Sequence, residues 1–288
     1  MKNKVLKSFC LFLIRVYLFP VAFFIGYKRK RTSYSSLIFW TNFHKKRSMQ
    51  LFWLHRNFLR TTGWLESMSS GLAVKNGDLI PWITYPALNY ISRLPLGDLR
   101  VVEIGSGAST IFFAKNCKSV VTFEDDVNYL KKLIAFKNKE NCDFEAFNLN
   151  LRSSTSYFST IRELLNLDEL NHFHLSDIAS TTITDDSLID ITSEIDTLIK
   201  SIKTADLIFI DGWYRNTAIY LAGLFSQKSA IIVIDNSDAN YTQLGRKYLL
   251  NTNFFEIEFR GLGPLNYNEW STSIFSRNLN FVSKSLSK

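Results

Sequence analysis

The residues whose types and spacing best suit ligand binding form a turn of glycine and hydroxyl side chains between Gly105 and Thr110, with the sequence GSGAST. The turn directly follows the apolar run VVEI. Glycines in such a turn let the backbone approach a ligand closely, and the free N–H groups of a helix that begins there face the same point. The candidate binding residues are therefore Glu103, Gly105, Ser106, Gly107, Ser109 and Thr110.

A second candidate, Glu124, ends the next apolar run, roughly twenty residues after Glu103. A carboxylate at this position can accept hydrogen bonds from ribose hydroxyls. A dinucleotide site would prefer a third glycine at position 110, where this chain has threonine. Turn and carboxylate together indicate an adenosine cofactor, but they do not by themselves distinguish S-adenosylmethionine from NAD.

The elements that must position these residues follow a βα alternation that starts at Leu99. Short β-branched runs alternate with helical segments, which is typical of a parallel sheet with crossover helices. The last two strands are separated by a Gly/Pro/Asn loop, which favours an antiparallel pair. We therefore predict an α/β fold with a doubly wound, mostly parallel, seven-stranded sheet and an antiparallel C-terminal hairpin, with its ligand at the carboxyl ends of the strands. The predicted strands are 99–105, 119–125, 143–150, 205–212, 230–236, 254–261 and 271–278.

Residues 151–187 are rich in Ser, Thr and Asp and are predicted to be an insertion, with a helix at 157–170. His172 and His174 have no cluster of further metal-ligand residues nearby and are assigned to a surface loop. Two of the three cysteines, Cys117 and Cys142, are interpreted as plain thiols.

At this point the sequence resembles the class I S-adenosylmethionine-dependent methyltransferases. VVEIGSGAS is similar to their first motif and VTFEDD to the acidic motif of their second strand. Further segments, including DLIFIDG, IIVIDNSD and FRGLGPLN, resemble a largely uncharacterised branch of bacterial methyltransferase-like proteins. The resemblance covers about residues 63–288, less the insertion. It implies that the glycine turn holds the methionine and ribose part of the cofactor, with help from Glu103, and that Glu124 binds the ribose.

The resemblance also implies candidates for catalysis. Asp211 at the fourth strand end and Asp235 with Asn236 at the fifth are similar to the magnesium ligands of catechol-type O-methyltransferases. Three oxygen ligands with substrate and water would satisfy magnesium, which would lower the pKa of a substrate hydroxyl. Where that family has a lysine, however, this chain has Tyr214, with Arg215 beside it. The alternative is a metal-free role, in which Asp211 or Asp235 accepts a proton or orients the cofactor and Arg215 assists.

Tyr85 lies in the segment IPWITYP ahead of the first strand, with Trp82 and Thr84. In this fold such a segment often folds over the cofactor, so Tyr85 is a candidate cofactor contact. Ordinary packing of an aromatic N-terminal helix is the alternative.

Charge divides the chain into two parts. Residues 1–65 hold 13 of the 34 Lys and Arg and no Asp or Glu, so the remainder carries 21 basic and 26 acidic side chains, a net of −5. The apolar length of the stretch 5–27 is close to the roughly 20 residues that a helix needs to span a bilayer, although Arg15 lies in its middle and Pro20 would kink or end it. It therefore reads as a span, as an amphipathic interfacial helix, or as a helix packed on the core. We predict that residues 1–62 form a basic, aromatic, membrane-associated helical arm, which places the domain 63–288 on the cytoplasmic face of an anionic membrane; without attachment the protein is expected in the cytoplasm.

The resulting hypothesis is a membrane-associated bacterial methyltransferase that moves the methyl group of S-adenosylmethionine to an oxygen of a glycan, lipid-linked or small-molecule acceptor. One alternative is a nucleic-acid methyltransferase with a basic arm. Against it, the arm is as apolar and aromatic as it is basic, and Asn-Pro-Pro-Tyr and cysteine-based base-methylation motifs do not occur. The other alternative is a non-catalytic membrane-bound assembly or binding protein with the same fold.

Overall fold

The computed structural model describes residues 55–149, 161 and 192–278. The predicted arm therefore lies outside the described residues up to 54, and the predicted insertion lies outside them except for Ile161. In the described part of the chain, no helix combines the length and the apolar character needed to cross a membrane. The described residues from Leu59 onward belong to one compact unit, which contains the sheet.

Seven strands form the main sheet in the order β5-β4-β3-β6-β7-β9-β8. The pairs from β5 to β7 are all parallel, and β9 is antiparallel to both β7 and β8. This topology confirms the predicted fold class, including the C-terminal hairpin. The strands are β3 (Arg100–Ile104), β4 (Ser119–Glu124), β5 (Glu145–Asn148), β6 (Leu207–Ile210), β7 (Ile231–Ile234), β8 (Phe255–Gly261) and β9 (Trp270–Ser276), and the small separate hairpin is β1 (Val74–Lys75) with β2 (Asp78–Leu79).

Helices cover both faces of the sheet because its central strands are apolar on both sides. Every residue of β6 (LIFI) and β7 (IIVI) is buried, as expected for parallel strands between two helical layers. Among the described residues from 64 onward, the α-helices are α1 (Trp64–Ser70), α2 (Tyr85–Ile91), α3 (Ala108–Asn116), α4 (Val127–Glu140), α5 (Thr192–Thr204), α6 (Arg215–Phe225) and α7 (Gln243–Asn251).

Side chains alternate between the two layers along each strand. Val102 and Ile104 of β3 belong to a core with α5, α6 and α7, whereas Val101 belongs to the core with α2, α3 and α4. Because side chains alternate along a strand, Glu103 faces the same side as Val101. A carboxylate consequently stands within the apolar layer under α3.

The segment between β7 and β8 contains the helix α7, which was not among the elements predicted from the sequence. Gly245 of α7 packs so closely on α6 that an added Cβ would come within 2.8 Å of Ile219 Cβ. Its backbone N–H also donates to Asn216 Oδ1 at 2.8 Å. Glycine lowers helix propensity, which hides this helix in the sequence, but here it allows the close approach of two helices.

Candidate functional site

The turn after β3 and the turn after β6 touch through two glycines. Gly105 has φ +92°, a conformation that side-chain-bearing residues rarely adopt. A Cβ added to Gly105 would overlap the backbone of Gly212, and a Cβ added to Gly212 would lie 2.9 Å from Gly105 Cα. Ile104 accepts hydrogen bonds through its carbonyl from the N–H groups of Asp211 and Gly212, at 3.0 and 2.8 Å. The two strand ends are therefore locked together at the point where the sequence predicted a ligand.

A pocket of 640 Å³ opens beside this contact, at the carboxyl ends of β3, β4 and β6. Its size is in the range of small-molecule and cofactor sites. It is lined by Gly105, Ser106, Glu124, Asp125, Asp126, Tyr129, Asp211, Gly212, Trp213, Tyr214, Arg215 and Tyr241. Of the residues predicted to bind or act, the structure brings five to its wall, namely Gly105, Ser106, Glu124, Asp211 and Arg215.

Glu124 links the turn after β3 to the residues after β4 in the pocket wall. Its Oε2 accepts hydrogen bonds from the Ser106 N–H at 3.0 Å and the Ser106 hydroxyl at 2.5 Å, and its Oε1 accepts from the Asp126 N–H at 3.0 Å. Asp126 in turn caps α4 by accepting from the N–H groups of Asn128 and Tyr129. A carboxylate has about four acceptor positions, so Glu124 retains capacity for a ribose hydroxyl.

Glu103 lies beneath the turn and not in the pocket wall. Its side chain is fully buried, and its Oε2 accepts hydrogen bonds from Thr110 Oγ1 at 2.5 Å and Thr122 Oγ1 at 2.8 Å. Thr110 Oγ1 also accepts from the Gly107 N–H at 2.9 Å. Burial raises the pKa of Glu103 to about 7, although hydrogen bonds from Ser109, Thr110 and Thr122 oppose the shift. Glu103, Gly107, Ser109 and Thr110 thus support the turn from behind, and direct cofactor contact by them stays a prediction.

Arg215 connects the ends of β6 and β7. Its Nε donates to the Gly212 carbonyl at 3.0 Å. Its Nη1 donates to the Asp235 carbonyl and to Asn236 Oδ1, at 2.5 and 2.9 Å. Its Nη2 donates to the carbonyl and to Oδ1 of Asp211, at 2.9 and 2.7 Å. All five N–H groups of the guanidinium therefore have an acceptor.

The two candidate catalytic aspartates occupy different environments. Asp211 faces the pocket with its side chain 28% exposed. Loss of hydration raises its pKa to about 7, against the opposing charge of Arg215 and with a further contribution from Asp235. Asp235 is buried, and its Oδ1 accepts from Trp270 Nε1 at 2.9 Å and Thr272 Oγ1 at 2.6 Å. Its pKa is raised by burial, which Arg215, Thr272 and Trp270 counteract. Only Asp211 is thus presented to a ligand in this pocket.

The magnesium set predicted from Asp211, Asp235 and Asn236 does not fit a divalent cation in this arrangement. The guanidinium of Arg215 already lies among its oxygen atoms. The Asp235 carboxylate is engaged by Trp270 and Thr272. Within residues 55–149, 161 and 192–278, no group of three His, Cys, Asp or Glu side chains is arranged to hold a metal ion.

Tyr85 is not brought to the pocket. It lies at the start of α2, buried in the core with Ile83, Leu88 and Ile91, and its N–H donates to the Leu262 carbonyl at 2.8 Å. Burial raises the pKa of its hydroxyl to about 12, with a hydrogen bond to Thr62 in opposition. This position matches the alternative of an aromatic helix that packs on the sheet.

Seven wall residues were not predicted as site residues, namely Asp125, Asp126, Tyr129, Gly212, Trp213, Tyr214 and Tyr241. Trp213 is 52% exposed, and the Tyr241 ring centroid lies 5.4 Å from the Arg215 guanidinium carbon. Gly212 ends the predicted fourth strand and Trp213 and Tyr214 directly follow it, and that position was the signal that could have identified them. Tyr241 lies in a short turn after β7, for which the sequence carried no comparable signal.

An adenosine cofactor fits the residues present. Gly105 and Ser106 lie in the pocket wall directly after β3, and Glu124 lies in the wall at the end of the adjacent strand β4. The wall carries four carboxylates (Glu124, Asp125, Asp126 and Asp211) against one cation, Arg215. This balance favours a positively charged ligand over an anionic one.

No family model matches the sequence, and no curated protein matches it. Among solved structures, similar folds include a precorrin-6y C5,15-methyltransferase from Geobacter metallireducens GS-15 (12% identity, 72% of this chain and 98% of that chain, TM-score 0.44). An O-methyltransferase from Bacillus cereus in complex with SAH is 16% identical (68% and 84%, TM-score 0.39). An rRNA methylase from Streptococcus thermophilus is 12% identical (67% and 94%, TM-score 0.41). A likeness at these identities and TM-scores concerns the fold alone, so the assignment of a function depends on the geometry of the pocket.

Proposed function

We propose that this protein is an S-adenosylmethionine-dependent methyltransferase that methylates a hydroxyl oxygen. The observation that carries the proposal is the acidic pocket beside the glycine turn, with four carboxylates and a single arginine in its wall. S-Adenosylmethionine carries a positive sulfonium, whereas NAD carries two negatively charged phosphates. The same glycine turn and ribose-binding carboxylate could serve either cofactor, and the charge of the wall favours the cationic one.

The residues that would hold the cofactor are the turn Gly105–Gly107 and Glu124. The turn would approach its methionine and ribose part, and Glu124 would accept hydrogen bonds from the ribose hydroxyls. When bound, S-adenosylmethionine supplies a methyl group that its positive sulfur has already activated toward attack by an oxygen. The remaining task of the protein is to align the acceptor and to take up one proton.

Asp211 is the residue proposed to take that proton. It faces the pocket, and its pKa of about 7 is close to the range in which a general base works best near neutral pH. As the acceptor oxygen bonds to the methyl carbon, the bond between that carbon and the sulfonium sulfur would break and release S-adenosylhomocysteine, and the hydroxyl proton would pass to the Asp211 carboxylate. Arg215, which donates to Asp211 Oδ1 at 2.7 Å, holds the carboxylate in place during the step.

The acceptor is proposed to be a neutral glycan, lipid-linked or small-molecule hydroxyl compound. A polyanion such as a nucleic acid would be repelled by the carboxylates of the wall. The exposed ring of Trp213 offers a flat apolar surface beside Asp211 for an uncharged acceptor.

Attachment to the cytoplasmic face of an anionic membrane is part of the proposal on sequence grounds. Its support is the concentration of 13 basic and no acidic residues in positions 1–65, interleaved with apolar and aromatic side chains. Such an arm would keep the methyltransferase domain near membrane-linked acceptors.

Isothermal titration calorimetry of the full chain with S-adenosylmethionine and, separately, with NAD tests the proposed cofactor. We expect saturable binding of S-adenosylmethionine, and also of its product S-adenosylhomocysteine, with no detectable heat of binding for NAD. Binding of NAD alone would redirect the assignment to hydride-transfer chemistry, and a folded chain that binds neither would exclude the enzyme.

A further inference from the structure

Arg215 lies at the N-terminus of a helix, where a positive charge does not stabilise the helix. It is the first residue of α6, next to Tyr214, which caps the helix in the left-handed conformation at φ 53°. Positive charge in the first turn opposes the helix dipole. The side chain is only 11% exposed, so solvent does little to screen this charge. Its position is accounted for by the acceptors around it and not by the helix that carries it.

Four of the five acceptors around Arg215 belong to Asp211, Asp235 and Asn236, the residues of the predicted magnesium set. The guanidinium bonds to Asp211 Oδ1 and Asn236 Oδ1 and to the main-chain carbonyls of Gly212, Asp211 and Asp235. A divalent ion could enter this position only by displacing the guanidinium. The displaced charge would then lie, largely out of solvent, beside a second cation.

We propose that the guanidinium of Arg215 supplies the positive charge between Asp211 and Asn236, at the position that a divalent metal ion would otherwise occupy. It is a positioning residue that fixes the Asp211 carboxylate toward the pocket, and it excludes divalent metal from Asp211 and Asn236. The exclusion of metal rests on the hydrogen-bond geometry alone. Only the consequence for proton uptake by Asp211 rests on the proposed function.

The chemistry of arginine suits this role better than that of lysine. A planar guanidinium presents five donors in a fixed geometry, whereas an ammonium presents three. Five acceptors surround Arg215, and the Tyr241 ring lies 5.4 Å from its guanidinium carbon. An Arg215→Lys variant keeps the positive charge but leaves at least two of the five acceptors without that donor.

The test is the binding of Mn²⁺, followed by the loss of the electron paramagnetic resonance signal of the free ion, in the full chain. We expect Asp211→Asn to leave the Mn²⁺ binding of the otherwise wild-type chain unchanged, because wild type should bind no Mn²⁺ at Asp211. Arg215→Met should create a site that is at least about tenfold tighter than any in wild type, and Arg215→Met/Asp211→Asn should lose it again. Because ions bound elsewhere do not respond to Asp211→Asn, the double variant isolates this cluster.

Arg215→Lys keeps the proposal falsifiable if the methionine variant does not fold. It should fold, as judged by circular dichroism, and should still exclude Mn²⁺, because an ammonium repels the ion as a guanidinium does. A wild-type site that depends on Asp211 would overturn the proposal, and so would a folded Arg215→Met variant without a new site. If S-adenosylmethionine fails to bind in calorimetry while the Mn²⁺ results follow the expectation, the proposed methyltransferase function is wrong, but the proposal that Arg215 excludes metal is supported.

Discussion

Ser106 donates both its backbone N–H and its hydroxyl to one oxygen of Glu124, at 3.0 and 2.5 Å. The turn after β3 is thereby joined to the last residue of the neighbouring parallel strand β4 in the pocket wall. Hydrogen bonds to a charged acceptor are stronger than neutral ones. The carboxylate that would bind a ribose is therefore already oriented by the turn that would hold the rest of the cofactor.

Glu124→Gln should weaken the binding of S-adenosylmethionine. The amide keeps the shape of the side chain but removes its charge. It also places an N–H₂ group opposite the Ser106 or Asp126 donors, which face a carboxylate oxygen in wild type. We expect affinity to fall by about 10- to 100-fold, equivalent to ~1.4 to 3 kcal/mol, as measured by calorimetry. Glu145→Gln, on the exposed side of the next strand, is the matched control and should bind as wild type does. Equal affinities for both variants would remove the ribose role.

Gly105→Ala should destabilise the domain far more than Gly77→Ala. Both glycines have positive φ, +92° and +84°, but an added Cβ meets nothing within 4 Å at Gly77, whereas at Gly105 it overlaps the backbone of Gly212. Gly77→Ala should cost about 1 kcal/mol of unfolding free energy from backbone strain alone, and Gly105→Ala should cost about 3 kcal/mol or more. Urea unfolding measures both. Similar losses would mean that the two strand ends can separate at little cost.

Glu103→Gln should flatten the dependence of stability on pH. Burial raises the pKa of Glu103 to about 7, from 4.5 for a free side chain. A raised pKa means that the folded state binds the proton more tightly, so this contribution to stability is complete below pH 4.5 and is lost as pH rises through 7. Wild type should therefore lose about 2 to 3 kcal/mol more than the variant between pH 5 and pH 8.

Urea unfolding of both proteins at each pH measures the difference for Glu103. Because the remaining titratable groups are common to both chains, their contribution cancels in the comparison. Parallel stability curves would show that Glu103 ionises as easily inside the protein as in water.

Neutralising the basic run 28–31 should weaken attachment to anionic membranes. The full chain with Lys28, Arg29, Lys30 and Arg31 changed to Gln should float with vesicles that contain phosphatidylserine at least about tenfold less than wild type, because each basic residue near such a surface contributes about 1 kcal/mol. The control carries the same number of changes at the exposed lysines Lys75, Lys131, Lys132 and Lys200 and should float as wild type does. An equal loss of vesicle binding in both variants would show that overall charge, and not the position of the basic run in the arm, determines attachment.

The strands were predictable because their signal is local. Runs such as LIFI and IIVI are apolar and mostly β-branched or aromatic, and an aspartate directly follows each of them, which is enough to place a buried strand. The helix α7 was not, because Gly245 weakens its local propensity and its packing on Ile219 is a tertiary contact.

The site was predictable where function follows from position at a strand end. Gly105, Glu124 and Asp211 each follow or end a parallel strand, and the topology alone brings them to one pocket. Side-chain direction was harder to predict. Asp235 directly follows β7 just as Asp211 directly follows β6. The Asp235 carboxylate nevertheless accepts hydrogen bonds from Trp270 and Thr272, residues more than thirty positions away.

The strand order also imposes a sequence of events on assembly. β9 lies between β7 and β8, so β7 cannot acquire its outer neighbour until nearly the whole described chain has been synthesised. Until then the Asp235 carboxylate lacks the Trp270 and Thr272 partners that satisfy it in the folded protein. A nascent chain that has released only its parallel strands would therefore hold an unfinished pocket, whose last structural support arrives with β9, the last strand of the described residues.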